Sequence, residues 1–214
     1  MEATVHDHAQ EEAMPTGGSE LNSLAFSATV HCLTGCAIGE VLGMVIGTAL
    51  GFSDLGTIAL AVGLAFFFGY LLTSLPLLRA GLALGAVIPI ALAADTFSIA
   101  TMEVIDNAIM LGIPGAMEAG AGDIVFWAAL SVALPIAGVI ALPVNRWLIA
   151  RGRGHVAVHK TGVHGGPPVR LVATVAAAAF IFGATVLALE GFDATDDPDQ
   201  GGEHAAMPAT LDRI

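Results

Sequence analysis

Five apolar stretches, at residues 24–51, 55–75, 82–111, 124–144 and 171–189, dominate the chain. A helix of about 20 apolar residues crosses about 30 Å of hydrocarbon, so each stretch is long enough to span a bilayer. Inside lipid every backbone N–H and C=O must be satisfied within the protein, which leaves helices or a closed barrel. The runs are continuously apolar, without period-two alternation, so helices are expected. The fold class expected is all-α: a polytopic membrane helix bundle of about five transmembrane helices.

Composition excludes the alternatives. Of 214 residues, 56% are hydrophobic and 12% are charged, against about 25% charged in a soluble domain. Seven Lys and Arg and a net charge of -12 leave no basic surface for nucleic acid. The first and third stretches exceed one crossing and must tilt, kink or protrude. Gly85 and Pro89 place any kink early in the third. No internal repeat links two spans, so no inverted-repeat transporter is expected. Residues 1–22 and 191–214 are acidic and aperiodic and are expected to be mobile, flanking a transmembrane domain at 23–190. The first twenty residues hold no apolar core, so no secretory leader is expected.

Orientation follows from the basic residues. Arg79 lies between spans two and three, and Arg146, Arg151, Arg153, Lys160 and Arg170 lie between spans four and five. With five spans these loops share a face with the N-terminus. The positive-inside rule then places the N-terminus in the cytoplasm and the C-terminus outside the cell membrane. Trp127 and Trp147 flank span four about 30 Å apart along a helix, as interface anchors would.

The first span carries two interleaved stripes. Gly35, Gly39, Gly43, Gly47 and Gly51 recur every four residues, a ridge that another helix can approach closely. Cys32, Cys36 and Glu40 lie about 100° round, with His31 adjacent. Thiolate and imidazole donors suit Cu(I), zinc or iron. The alternative is that both cysteines are small packing residues beside a seam. Glu40 favours chemistry, since a carboxylate inside the membrane is costly unless paired, protonated or metal-bound.

The third span is similarly biased. Asp95, Met102, Glu103, Asp106, Asn107 and Met110 cluster on one side of a helical wheel, with Ile99 and Ile109 among them, opposite Phe97, Ala100, Thr101, Val104 and Ala108, of which only Thr101 is polar. Either Glu103 to Asn107 form a wet helix end, or the face lines an ion path. By depth, Cys36 and Glu40 are expected to face Asp95 from a neighbouring helix. Asp123 reads as the N-cap of span four. His155 and His159 would form a weak metal pair on one face if their segment were helical, but Gly152 and Gly154 oppose a helix, so the segment reads as a solvated basic loop.

In three of these elements the chain resembles the membrane family termed domain of unknown function 4396. They are His31-Cys32 through Gly35-Cys36 and Gly39-Glu40; Met102-Glu103 with Asp106-Asn107; and Pro143-Val-Asn145-Arg146 followed by Arg151-Gly-Arg153-Gly-His155. The resemblance implies a small bacterial or archaeal multi-pass protein over roughly residues 27–190. It supplies no reaction or substrate.

The function expected is binding and transport of a soft metal cation between helices one and three. Its candidate ligands and path are His31, Cys32, Cys36, Glu40, Asp95, Met102, Glu103 and Asp106. Copper comes first for the thiolate–thioether–imidazole mixture, while zinc or iron would fit the acids. One alternative is a structural or accessory membrane subunit. A haem or quinone redox protein is less favoured, since His31 lacks a second axial histidine within the spans. No nucleotide loop, nucleophile elbow or HExxH motif appears, so neither ATP coupling nor hydrolytic chemistry is expected. The partner expected is the lipid bilayer, with room for a homo-oligomer or a second membrane subunit.

Overall fold

The computed structural model describes residues 18–163 and 168–193. They form six helices: α1 (Gly18–Ala49), α2 (Asp54–Arg79), α3 (Leu84–Gly112), α4 (Ile124–Ala150), the single turn α5 (Val156–His159) and α6 (Val169–Asp193). No strand occurs among the described residues. All five long helices are long and apolar enough to cross a membrane. Of the head expected at 1–22 and the tail expected at 191–214, residues 1–17 and 194–214 lie outside the described residues.

Two helices outrun the apolar stretches that announced them. α1 begins at Gly18 rather than residue 24, and α4 continues to Ala150 rather than 144. The added turns open with polar residues, Ser19, Glu20, Asn22 and Ser23 on α1 and Asn145 and Arg146 on α4, and they bond to each other: Arg146 Nε donates to Asn22 Oδ1 at 2.7 Å. A hydropathy boundary marks where the apolar run ends, whereas a helix continues while its polar residues find partners. α3 is one helix despite Pro89. Asp123 caps α4 as expected, accepting from Val125 N at 2.9 Å.

The glycine ridge of α1 is used within the chain, against α2. A Cβ at Gly39 would stand 2.1 Å from Ala65 N, and one at Gly43 2.2 Å from Ala61 Cα. Gly35 meets Gly69 and Gly47 meets Thr57 in the same way. The two helices are antiparallel, so the rungs 47/57, 43/61, 39/65 and 35/69 lead one turn further to 31/73. α2 answers the ridge with its own stripe of small buried residues: Thr57, Ala61, Ala65, Gly69 and Thr73. Backbones this close maximise dispersion contact, which is what holds helices together once lipid has removed the hydrophobic drive.

α3 turns its polar face inward as the wheel requires. Asp95, Met102, Glu103, Asp106, Asn107 and Met110 are all buried, while Phe97 and Val104 are exposed. Asn145 of α4 ties three helices together, donating to Thr29 Oγ1 of α1 at 2.9 Å and to Ser98 Oγ of α3 at 3.0 Å. α6 stands outside this group. It packs mainly on α4, where Gly183 lies against the Ala128 carbonyl, and most of its surface is exposed.

Candidate metal centre

The rung after the last glycine pair replaces close packing by chemistry. His31 Nε2 lies 2.8 Å from Thr73 Oγ1. Thr73 Oγ1 donates its single hydrogen to Asp95 Oδ2 at 2.6 Å, so toward His31 it accepts. Nε2 therefore carries the ring proton and Nδ1 keeps its lone pair. That Nδ1 is buried and has no hydrogen-bond partner.

His155 reaches the same carboxylate from beyond the end of α4. Its Nδ1 is 3.1 Å from Asp95 Oδ1, yet out of line for a hydrogen bond. Its ring centroid is 4.8 Å from that of His31, tilted by 59°. Ligand atoms of His31, Asp95 and His155 all lie within 4.8 Å of one another. Among the described residues this is the one trio of His, Cys, Asp or Glu so placed. A zinc ion sits about 2 Å from each donor, so the three would have to draw together to close round one.

The chain reversal that delivers His155 depends on glycine. Gly152 and Gly154 have φ of +69° and +66°, the left-handed region that costs an L-residue about 1–2 kcal/mol. A Cβ at Gly154 would stand 3.1 Å from Leu148 Cβ. Val156 then plugs into a cluster with Leu21, Ala25, Ala28 and Ile149. The segment is thus not the solvated loop expected of it. Its glycines do oppose a long helix, but they do so by turning the chain back into the bundle. His159, by contrast, is exposed.

The eight candidate residues divide along the bundle. His31, Cys32 and Asp95 meet near the end that carries the basic residues, where Cys32 Sγ donates to Asp95 Oδ1 at 3.7 Å. Cys36 and Met102 lie in an apolar cluster with Cys32 and Ile99, and both thiols are free. Glu40, Glu103 and Asp106 gather further along, Glu40 facing Asp106 and Cys36 facing Glu103. All three acids are buried, so the α3 face is not a wet helix end. The expected opposition of Glu40 to Asp95 is corrected. Cys32 is level with Asp95, and Glu40, two turns on, is level with Asp106. Matching the centres of two apolar runs does not give the register at which their polar groups meet.

Thr73 escapes the sequence reading, although it continues the four-residue stripe of α2. His155 enters that reading only as a weak metal pair with His159 and gives way to a loop, because its flanking glycines mark a reversal as readily as a disordered loop.

A family model, Domain of unknown function (DUF4396), matches residues 22–154. The chain belongs to this family. The matched region holds α1 to α4, with His31, Thr73 and Asp95, and ends one residue before His155; α6 lies outside it. No curated protein and no solved structure matches the chain.

Proposed function

We propose that this membrane protein binds a divalent transition-metal ion at His31, Asp95 and His155 and passes it through the bundle. The observation that carries the reading is the meeting of His31, Asp95 and His155, whose ligand atoms lie within 4.8 Å of one another beside a buried His31 Nδ1 that has no hydrogen-bond partner among the described residues. Thr73 supplies the outer hydrogen bonds that fix a ligating histidine and carboxylate in orientation. Two imidazoles and a carboxylate suit zinc or iron better than Cu(I). Cys32 is the nearest soft donor, at the edge of the trio. Beyond it Cys36 and Met102, then Glu40, Glu103 and Asp106, mark the way through. The basic end faces the cytoplasm and the C-terminus lies outside, in keeping with the distribution of Lys and Arg.

Metal analysis of detergent-purified protein loaded with Zn²⁺ tests the site. Wild type should retain zinc, His155→Ala and His31→Ala should lose it, and Cys32→Ser with Cys36→Ser should keep it. Loss of metal in the cysteine double variant, with Cu(I) outcompeting Zn²⁺ in wild type, would return the site to copper. Zinc retained equally by all variants would refute a metal centre and favour a structural subunit.

A further inference from the structure

The bundle holds a second buried polar site, two helical turns beyond the first. Glu40 projects from α1 onto the pair Glu103 and Asp106 of α3, and the three are 1%, 4% and 2% exposed. None of the carboxylate oxygens of Glu40 or Asp106 has a hydrogen-bond partner among the described residues, and neither does Glu103 Oε2 or the buried Asn107 Oδ1. Glu40 is thus an almost fully buried side chain aimed from one helix into an acidic pair on another, with Asp106 as its polar neighbour.

Among the described residues, nothing near the three acids can neutralise them. α1 and α3 contain no Lys or Arg; α2 and α4 contain only Arg79 and Arg146, and α6 only Arg170, all at the basic end. At this level α2 sets Ala61 and Ala65 against the α1 glycines, and α4 sets Phe126, Leu130 and Ala133 in an apolar cluster with Met44 and Met110. Cys36 is the one other ionisable group against the cluster. Glu118 and Asp123 near the far end are acidic and exposed. His31 is nine residues from Glu40, about 13 Å along α1. Three ionised carboxylates in such a place would repel one another with no counter-charge, an arrangement proteins avoid by protonation or by a bound cation.

The acids do not form a compact ligand cage: no second group of three meets the spacing that His31, Asp95 and His155 satisfy among the described residues. Protons need no such cage. On the side away from the metal centre, the cluster is covered by Met44, Met110, Met117 and Phe126. Cys32, Cys36, Ile99 and Met102 separate it from the metal centre.

We propose that Glu40, Glu103 and Asp106 form a proton-binding site, distinct from the metal centre, that releases and regains protons as the cation crosses the bundle. Each proton leaves a carboxylic acid for water and leaves a carboxylate that meets the passing cation; reprotonation from water resets the site. The coupling to metal rests on the reading of His31, Asp95 and His155 given above. The proton site does not.

Infrared spectroscopy of the purified, lipid-reconstituted protein separates the two. At neutral pH wild type should show the carbonyl stretch of protonated carboxylic acids, shifted in deuterated water. Part of it should vanish in Glu40→Gln and in Asp106→Asn. These near-isosteric variants should still bind Zn²⁺ mole for mole like wild type, which also shows that they are folded. In vesicles enclosing a pH dye, Zn²⁺ should move protons in wild type and not in the double variant. Absence of the acid band from wild type, or its persistence unchanged in both variants, would overturn the proton site. Zinc entry into wild-type vesicles without proton movement would overturn the coupling. An acid band in a protein that binds no zinc would overturn the metal reading and leave the proton site standing.

Discussion

At the scale of single residues, the proposed metal centre turns on which atom of His31 carries the proton. The Thr73 hydroxyl decides that by having one hydrogen to give and giving it to Asp95. Thr73→Val keeps the shape and removes both hydrogen bonds. Zinc affinity in a chelator competition titration should fall about 10- to 100-fold, the usual cost of losing such an outer partner. Thr73→Ser should stay close to wild type, because it restores the hydroxyl. An unchanged affinity in Thr73→Val would mean that packing alone orients His31.

Among the elements, the seam between α1 and α2 is the tightest in the bundle and the most exacting. Gly39→Ala introduces a Cβ that would stand 2.1 Å from the Ala65 backbone. Backbone cannot rotate aside as a side chain can, so the helices must part. We expect a loss of about 1–3 kcal/mol in denaturation by a harsh detergent. Gly63→Ala on α2 meets nothing within 4 Å, and its better helix propensity should stabilise by up to about 1 kcal/mol. Equal effects at the two positions would show that the cost at Gly39 is not steric. Because His31 and Thr73 form the next rung of this seam, Gly39→Ala should also weaken zinc binding.

For the whole molecule, the division of labour follows the family match. α1 to α4 carry both polar sites, and the turn before α5 adds His155, whereas α6 contributes no residue to either. α6 meets α4 through Gly183, where a Cβ would stand 2.4 Å from the Ala128 carbonyl oxygen. Gly183→Leu should therefore push α6 off α4 and lower the thermal midpoint in detergent, while zinc stoichiometry stays at the wild-type value. Loss of zinc in that variant would show that α6 holds the bundle closed around the metal centre.

Much of this architecture was determined by the sequence alone, because its causes are local and one-dimensional. A run of apolar residues must be helical in lipid wherever it packs, so five crossings could be counted without knowing any contact. The ridge from Gly35 to Gly47 and the inward face of α3 follow from the helical repeat, which places residues three and four apart on one side. The cap at Asp123 likewise needs only its neighbours. What only the tertiary structure decided is where separate helices meet along their lengths. Apolar runs can slide past one another by a turn at little cost in hydropathy. The meeting of Cys32, rather than Glu40, with Asp95 was set instead by side-chain fit and by hydrogen bonds between residues far apart in the chain. His155 shows the same limit. Whether two glycines release a loop into water or fold it back onto Asp95 depends on a slot for Val156 built by α1 and α4, and no pattern within the loop records that slot.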